Sequence, residues 1–312
     1  MKLLFAVFVL SGISAQAQTI TETFGTGANQ FSIEFVQIGN PGNAADTTGG
    51  PNPVGAVAYT YQIGKYEVSR EMVEKATSAG GLGITLADMT SYGGNGANRP
   101  ATGVTWNEAA RFVNWLNTSK GYQAAYNFTT SGANDNITLW GAGQYSGSNQ
   151  FRHKDAYYFL TTTDEWYKAA YGSPSGTWYN FPNGSDTAPI SVASGTAANT
   201  AVSGQILNAG PADITNAGGL SPYGTMAQGG NVFEWNETAY IGSNDSASEF
   251  RESRGSDWNI DSSNLDARFR FGLQPTGESI GIGFRVAMVP EPSSLSLLLA
   301  GGAVLMARRR KS

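Results

Sequence analysis

The chain has 312 residues, of which 14% are charged; it carries 40 glycines, seven tryptophans, one histidine and no cysteine, with a net charge of −5. The acidic balance excludes a nucleic-acid surface, which needs a basic face. The lone His153 and the absence of thiols exclude a Cys/His zinc site and a thiolate copper site, and no G-x-S-x-G elbow accompanies His153 to make a Ser-His-Asp triad.

Met1-Lys2, the apolar run Leu3 to Leu10 and Ala15-Gln16-Ala17 supply the basic start, apolar core and A-x-A site of a secretory signal peptide. The spacing divides the chain into a signal peptide over 1–17, one folded domain over 18–289 and a tail over 290–312. Beyond the signal, 30–38 reads as a strand, 39–53 as a Gly/Asn/Pro/Thr loop, and 54–66 as a strand or hairpin. Ser69 then caps a helix running to Thr77, with Met72, Val73 and Ala76 on one face.

A second helix opens at the capping box Thr105-Trp106-Asn107-Glu108, in which hydroxyl and carboxylate each satisfy a free backbone N–H. Ala109, Phe112, Val113 and Leu116 follow at core-facing spacing, with Trp115 widening the stripe. The polar stretch 121–154 reads as irregular or as short strands, and His153 as a surface loop residue. A second capping box, Thr162 to Glu165, opens a helix carrying Trp166, Ala169 and Ala170. Turns such as Pro182-Asn183-Gly184 and short aromatic strands lead on to Phe284-Arg285-Val286. Three modest helices in a long Gly-rich chain predict a single loop-rich α+β domain.

The tail reads Pro290-Glu291-Pro292, a short apolar run from Ser293 to Ala307, then Arg308-Arg309-Arg310-Lys311. The apolar run is marginal for spanning about 30 Å of hydrocarbon, and the basic end would stay on the cytoplasmic side. In this order the three parts resemble the PEP-CTERM sorting signal. The resemblance implies a bacterial protein exported to the cell surface or extracellular matrix, an exosortase-type enzyme as partner, and contact with the membrane through the tail.

Four further blocks fall in a fixed order: Pro100 to Leu116 with Val104-Thr105-Trp106; Leu160 to Ala170 with Thr163-Asp164-Glu165-Trp166; Tyr223 to Trp235 with Gly230-Asn231-Val232-Phe233-Glu234-Trp235; and Arg254-Gly255-Ser256-Asp257-Trp258 closing with Gly283-Phe284-Arg285. Together they resemble the formylglycine-generating-enzyme (sulfatase-modifying factor) family, which implies its irregular C-type-lectin-like fold.

The resemblance also implies an oxidase holding copper on two cysteines beyond the Arg-Gly-Gly-Ser block. Here the matching positions are Ile260 and Leu265, and soft Cu(I) wants thiolate, so the copper cofactor is not expected. Calcium is the cofactor the resemblance leaves open, with the Glu234 carboxylate, the Gly230 and Val232 carbonyls and Asn199 as candidate ligands. Ala227 stands where the family has a further side-chain ligand. The alternative reading makes Asn231 and Glu234 buried hydrogen-bonding residues that pin the loop.

Arg254, Arg268 and Arg285 match family positions and read either as core ion pairs or as ligand contacts. Trp178, Tyr179 and Trp258 read either as core or as sugar-stacking rings. The export signals, the lectin-like fold that the resemblance implies and the missing copper ligands point to a non-catalytic binding or structural domain engaging exopolysaccharide or a surface protein. An enzyme, either of the family's oxidoreductase type or with carboxylate chemistry, is the alternative.

Overall fold

The computed structural model describes residues 19–129 and 137–289. The signal peptide and the Pro-Glu-Pro tail read from the sequence lie outside the described residues.

The elements in chain order are β1 (Thr19–Phe24), β2 (Phe31–Ile38), β3 (Tyr61–Gly64), α1 (Arg70–Gly80), α2 (Trp106–Ser119), β4 (Asn127–Phe128), β5 (Ile137–Thr138), β6 (Tyr158–Leu160), α3 (Thr163–Tyr171), β7 (Ile190–Val192), β8 (Thr200–Val202), β9 (Phe233–Ala239), β10 (Arg251–Arg254), β11 (Phe271–Leu273), β12 (Ile282–Phe284) and β13 (Val286–Met288). Most are short and long loops join them, as an α+β chain rich in glycine requires. One sheet has the order β1-β2-β3-β13-β6; a second has the order β11-β10-β9-β12. The last pair in the second sheet is parallel, Ile282 against Phe233.

The helices start where local chemistry dictates. Thr105 and Thr162 each accept from the backbone N–H of the glutamate three residues on, and each glutamate returns a bond to the cap backbone, so both predicted capping boxes are formed. Such a cap contributes about 1 kcal/mol. Ser69 caps α1, which runs to Gly80 and stops at Gly81 in the left-handed region (φ 62°), a conformation glycine adopts without strain.

The stripe Ala109, Phe112, Val113 and Leu116 is fully buried and packs with Phe31, Tyr158, Phe284 and Val286. Asn117 fastens α2 to β6: its amide donates to the Tyr158 carbonyl at 2.8 Å while its oxygen accepts from the N–H groups of Tyr157 and Tyr158. Four fully buried tryptophans each place their indole N–H on an acceptor: Trp106 on Asn236, Trp235 on Val104, Trp258 on Leu207 and Trp166 on Glu234. A buried ring is tolerated when its one polar group is paired.

Three sequence readings are corrected. The strand read over 54–66 shrinks to Tyr61–Gly64, because the preceding turns contribute only the isolated pairing of Val54 with Asp46. β1, which the sequence reading did not assign, pairs along its whole length with β2, from Thr19 opposite Val36 to Phe24 opposite Phe31. His153 is buried rather than on the surface, edge-on to Trp140 at 4.7 Å. That contact joins residues far apart in the loop, which no local pattern announces.

Candidate functional site

Two charged centres stand out, both anchored on β9 and the helix before it. In the first, Glu234 is fully buried on β9. Arg285, the residue between β12 and β13, donates from Nε to Oε2 at 2.9 Å and from Nη2 to Oε1 at 2.6 Å. Trp166 Nε1 of α3 donates to Oε2 at 2.6 Å. The remaining Arg285 donors reach the Gly64 and Met226 carbonyls.

Glu67 lies beside this pair, also buried. It accepts from Asn231 Nδ2 at 2.6 Å and from the Val232 N–H. Burial, and then the negative charge of Glu234, push its carboxyl well above the usual range. No local pattern marks Glu67, since its partners lie more than 160 residues away.

The predicted calcium ligands fall at this centre unevenly. Glu234 has both oxygens engaged by Arg285 and Trp166. Val232 and Gly230 sit on the same turn, with Gly230 at φ 85° and its Cα so close to Val202 that a Cβ would meet the Val202 carbonyl at 2.2 Å. Ala227 contributes a buried methyl group. Asn199 is exposed at the start of β8, in the left-handed region at φ 60°; it is Val202, further along the strand, that meets the turn.

These residues do not fit a calcium ion. A dication at Glu234 would sit against the Arg285 guanidinium, which already neutralises that carboxylate, and the position of one further ligand carries a methyl group. Among the described residues no group of three histidine or carboxylate side chains gathers to hold a metal. Leu265, at one of the two positions where the resembled oxidases carry copper-binding cysteines, is fully buried against Phe181 and Ala201; Ile260, at the other, is half-buried.

The arginines divide. Arg254 is buried and paired with Glu252 at 2.6 Å, as Arg285 is with Glu234. Arg268 instead lies on the surface, bonded to Asp266 two residues away. Trp258 is fully buried, and Trp178 packs on Tyr167 at 5.5 Å.

The second centre borders a cleft of about 420 Å³ lined by Tyr59, Asn149, Arg152, His153, Lys154 and Phe159 together with Ser146, Gly147, Ala156 and Val289. The Arg152 guanidinium lies 4.0 Å over the Phe159 ring. It donates to Glu165 from Nη1 at 3.2 Å and from Nη2 at 3.3 Å, and its Nε is 3.2 Å from Glu237. Both carboxylates are buried behind it. Tyr59, well exposed on the cleft wall, donates its hydroxyl to Glu165.

Glu237 accepts from the Tyr126 hydroxyl at 2.5 Å and from Asn149 Nδ2 at 2.6 Å. Asn149 also accepts from Asn244, tying the cleft loop to the β9–β10 connection. Burial pushes Glu237 up to about 7, although Arg152 pulls the other way. Burial also opposes the charge on Glu165. There the Arg152 charge and the bonds from Tyr59, Thr162 and Arg152 prevail, and the carboxyl is held below its usual range. One guanidinium thus faces two carboxylates that have been driven apart.

Residues 31–289 match the sulfatase-modifying factor enzyme 1-like domain, and residues 289–311 match the PEP-CTERM protein-sorting motif. Among solved structures, the chain is similar to Treponema denticola variable protein 1, with a TM-score of 0.57 and 19% identity over 87% of this chain and 99% of that one. It is similar to CarF (TM-score 0.57, 18% identity, 83% and 99% covered) and to PvdO from Pseudomonas aeruginosa (TM-score 0.54, 17% identity, 86% and 98% covered). No curated protein matches the chain. At these identities the solved structures establish a shared fold. The sorting motif marks the chain for export and display at the cell surface, and is the feature an exosortase recognises. Matched over 31–289, the chain belongs to the sulfatase-modifying factor enzyme 1-like domain family.

Proposed function

We propose that this chain is a non-catalytic binding domain displayed at the bacterial surface, and that its cleft holds a segment of exopolysaccharide or of another surface molecule. The observation that carries the reading is the cleft itself, a concave space of a size suited to small ligands, with an exposed aromatic ring on one wall. Tyr59 offers the flat apolar face a sugar ring packs on, and its hydroxyl bond to Glu165 holds it in place. The two carboxylates nearest the cleft do not favour the enzymatic alternative. Glu165 and Glu237 have every oxygen engaged by protein donors and lie behind Arg152. The oxidase chemistry of the family lacks support, because Leu265 fills its position with packed apolar core and the sequence contains no thiol.

The test is binding of the exported protein to polysaccharides from exopolysaccharide-producing bacteria, with and without a calcium chelator, beside Tyr59→Ala. Binding that Tyr59→Ala weakens by about tenfold or more supports the cleft. Binding indifferent to Tyr59→Ala removes it as the site. Loss of binding on chelation would restore calcium to the account.

A further inference from the structure

The cleft lining is one-sided in its chemistry. It contains Arg152, His153 and Lys154 and neither aspartate nor glutamate, in a chain whose 24 acidic residues outnumber its 19 basic ones.

The hydrogen-bond inventory is equally lopsided. A guanidinium has five N–H donors. Two of those on Arg152 go to Glu165 and its Nε faces Glu237 in an ion pair, so two remain without an acceptor among the described residues. His153 Nδ1 accepts from the Asp155 backbone N–H at 3.2 Å, which puts the ring hydrogen of the neutral imidazole on Nε2 and leaves that nitrogen a donor. Among the described residues the Lys154 ammonium pairs with Asp155, an exposed neighbour at 2.8 Å, and such a pair is worth little against solvent. Ser146 adds a hydroxyl. Among the side chains on the acceptor side, Asn149 has its amide committed to Glu237 and its oxygen to Phe151 and Asn244, which leaves the Tyr59 and Ser146 hydroxyl oxygens. A neutral sugar offers hydroxyls that both give and take; a donor-rich, acceptor-poor cleft matches a ligand that mainly accepts.

We propose that the cleft binds the carboxylate of an acidic sugar unit in a polysaccharide, with Lys154 and the spare Arg152 donors on the carboxylate and Tyr59 against the ring. This rests on the reading of the cleft as the binding site and specifies its ligand class. A carboxylate on a peptide would satisfy the same donors. The exposed Tyr59 ring and the exposed Val289 side chain favour the flat, partly apolar face of a pyranose.

The experiment titrates the full exported protein with oligoalginate, a chain of uronic acids, with neutral dextran oligosaccharides of equal length, and with oligoglutamate. The proteins are wild type, Lys154→Glu and Tyr59→Ala. The expected result is oligoalginate binding that weakens with added salt and falls about tenfold or more in Lys154→Glu, with little dextran binding. Lys154 is exposed, so this variant folds; near-unchanged far-UV circular dichroism verifies it. Oligoalginate binding that ignores Lys154→Glu overturns the proposal, as does dextran binding at least as tight. In those cases the cleft reading survives if Tyr59→Ala abolishes what binding there is, and fails with the proposal if it does not. Stronger binding of oligoglutamate than of oligoalginate overturns the acidic-sugar assignment in favour of a protein partner. Absence of binding to all three probes overturns both.

Discussion

The two charged centres use the same parts for opposite ends. At Glu234 and Arg285 carboxylate and guanidinium are both fully buried and hold each other, the neighbouring Glu67 carboxyl is taken up by Asn231 and the Val232 N–H, and the arginine also reaches the Gly64 and Met226 carbonyls. At Arg152 one guanidinium meets two carboxylates, borders a cleft and keeps donors in reserve. A pair closed in a dry interior is a joint: it fixes β13 against β9 and turns no donor toward solvent. An unbalanced cluster at an opening is responsive. It carries one carboxyl near neutrality and turns unmatched hydrogen-bonding capacity toward whatever enters. Burial of the carboxylates therefore does not separate structure from site; whether the arginine reaches an opening does.

The largest effect that would break this comparison is Arg285→Met, which leaves Glu234 buried without its partner. It should lower the free energy of unfolding in urea by about 3–5 kcal/mol, and adding Glu234→Leu should recover much of the loss. If the single variant costs under about 1 kcal/mol, the joint is not what holds the sheet and strand together.

The next effect is pH-dependent. The Glu237 carboxyl is raised from 4.5 to about 7 in the folded chain, so the native state keeps a proton that the unfolded chain releases. Its contribution is fully present below about pH 4.5 and is lost as the pH rises through about 7. The change is on the order of 3 kcal/mol at most. Glu165, held low, runs the other way and loses its contribution in acid. Thermal melts from pH 4.5 to 8 should show stability falling toward neutrality in wild type and a flatter profile in Glu237→Gln. An unchanged slope would remove Glu237 as its source.

Smaller still is Thr162→Ala, expected to cost about 1 kcal/mol by freeing the start of α3. The matched Thr105→Ala in α2 serves as the reference, because Glu108 belongs to no two-carboxylate cluster. A markedly greater loss at Thr162 would show that the cap also holds Glu165 against Arg152. Smallest in stability is Asp155→Ala, within about 0.5 kcal/mol by denaturation. It should tighten oligoalginate binding by releasing Lys154, and weaker binding would count against that lysine as a contact.

What was legible in the sequence was local. Both capping boxes and the stripe on α2 follow from spacing within a few residues, and the order of the aromatic and glycine blocks pointed to the fold. Arg254 and Arg285 read as possible core ion pairs and are core ion pairs, whereas the same reading of Arg268 met a surface bond to Asp266. Nothing in the sequence marked the cleft. Its lining comes from Tyr59, the 146–159 stretch and Val289, brought together by β13 lying between β3 and β6. Glu67 and Glu237 were missed for the same reason: a carboxylate that will be buried by partners over 80 residues away looks like any other.

Val289 lines the cleft, and the sorting motif begins at that residue. Whatever fastens the tail therefore fastens the cleft directly. Tension between a held ligand and the tail is applied at the end of β13 that adjoins the start of β3 and of β6, where the bond from the Val289 N–H to the Tyr157 carbonyl meets it first. The greater part of the domain stands outside that line of force, so a grip on matrix material under flow would not depend on the mechanical strength of the whole fold.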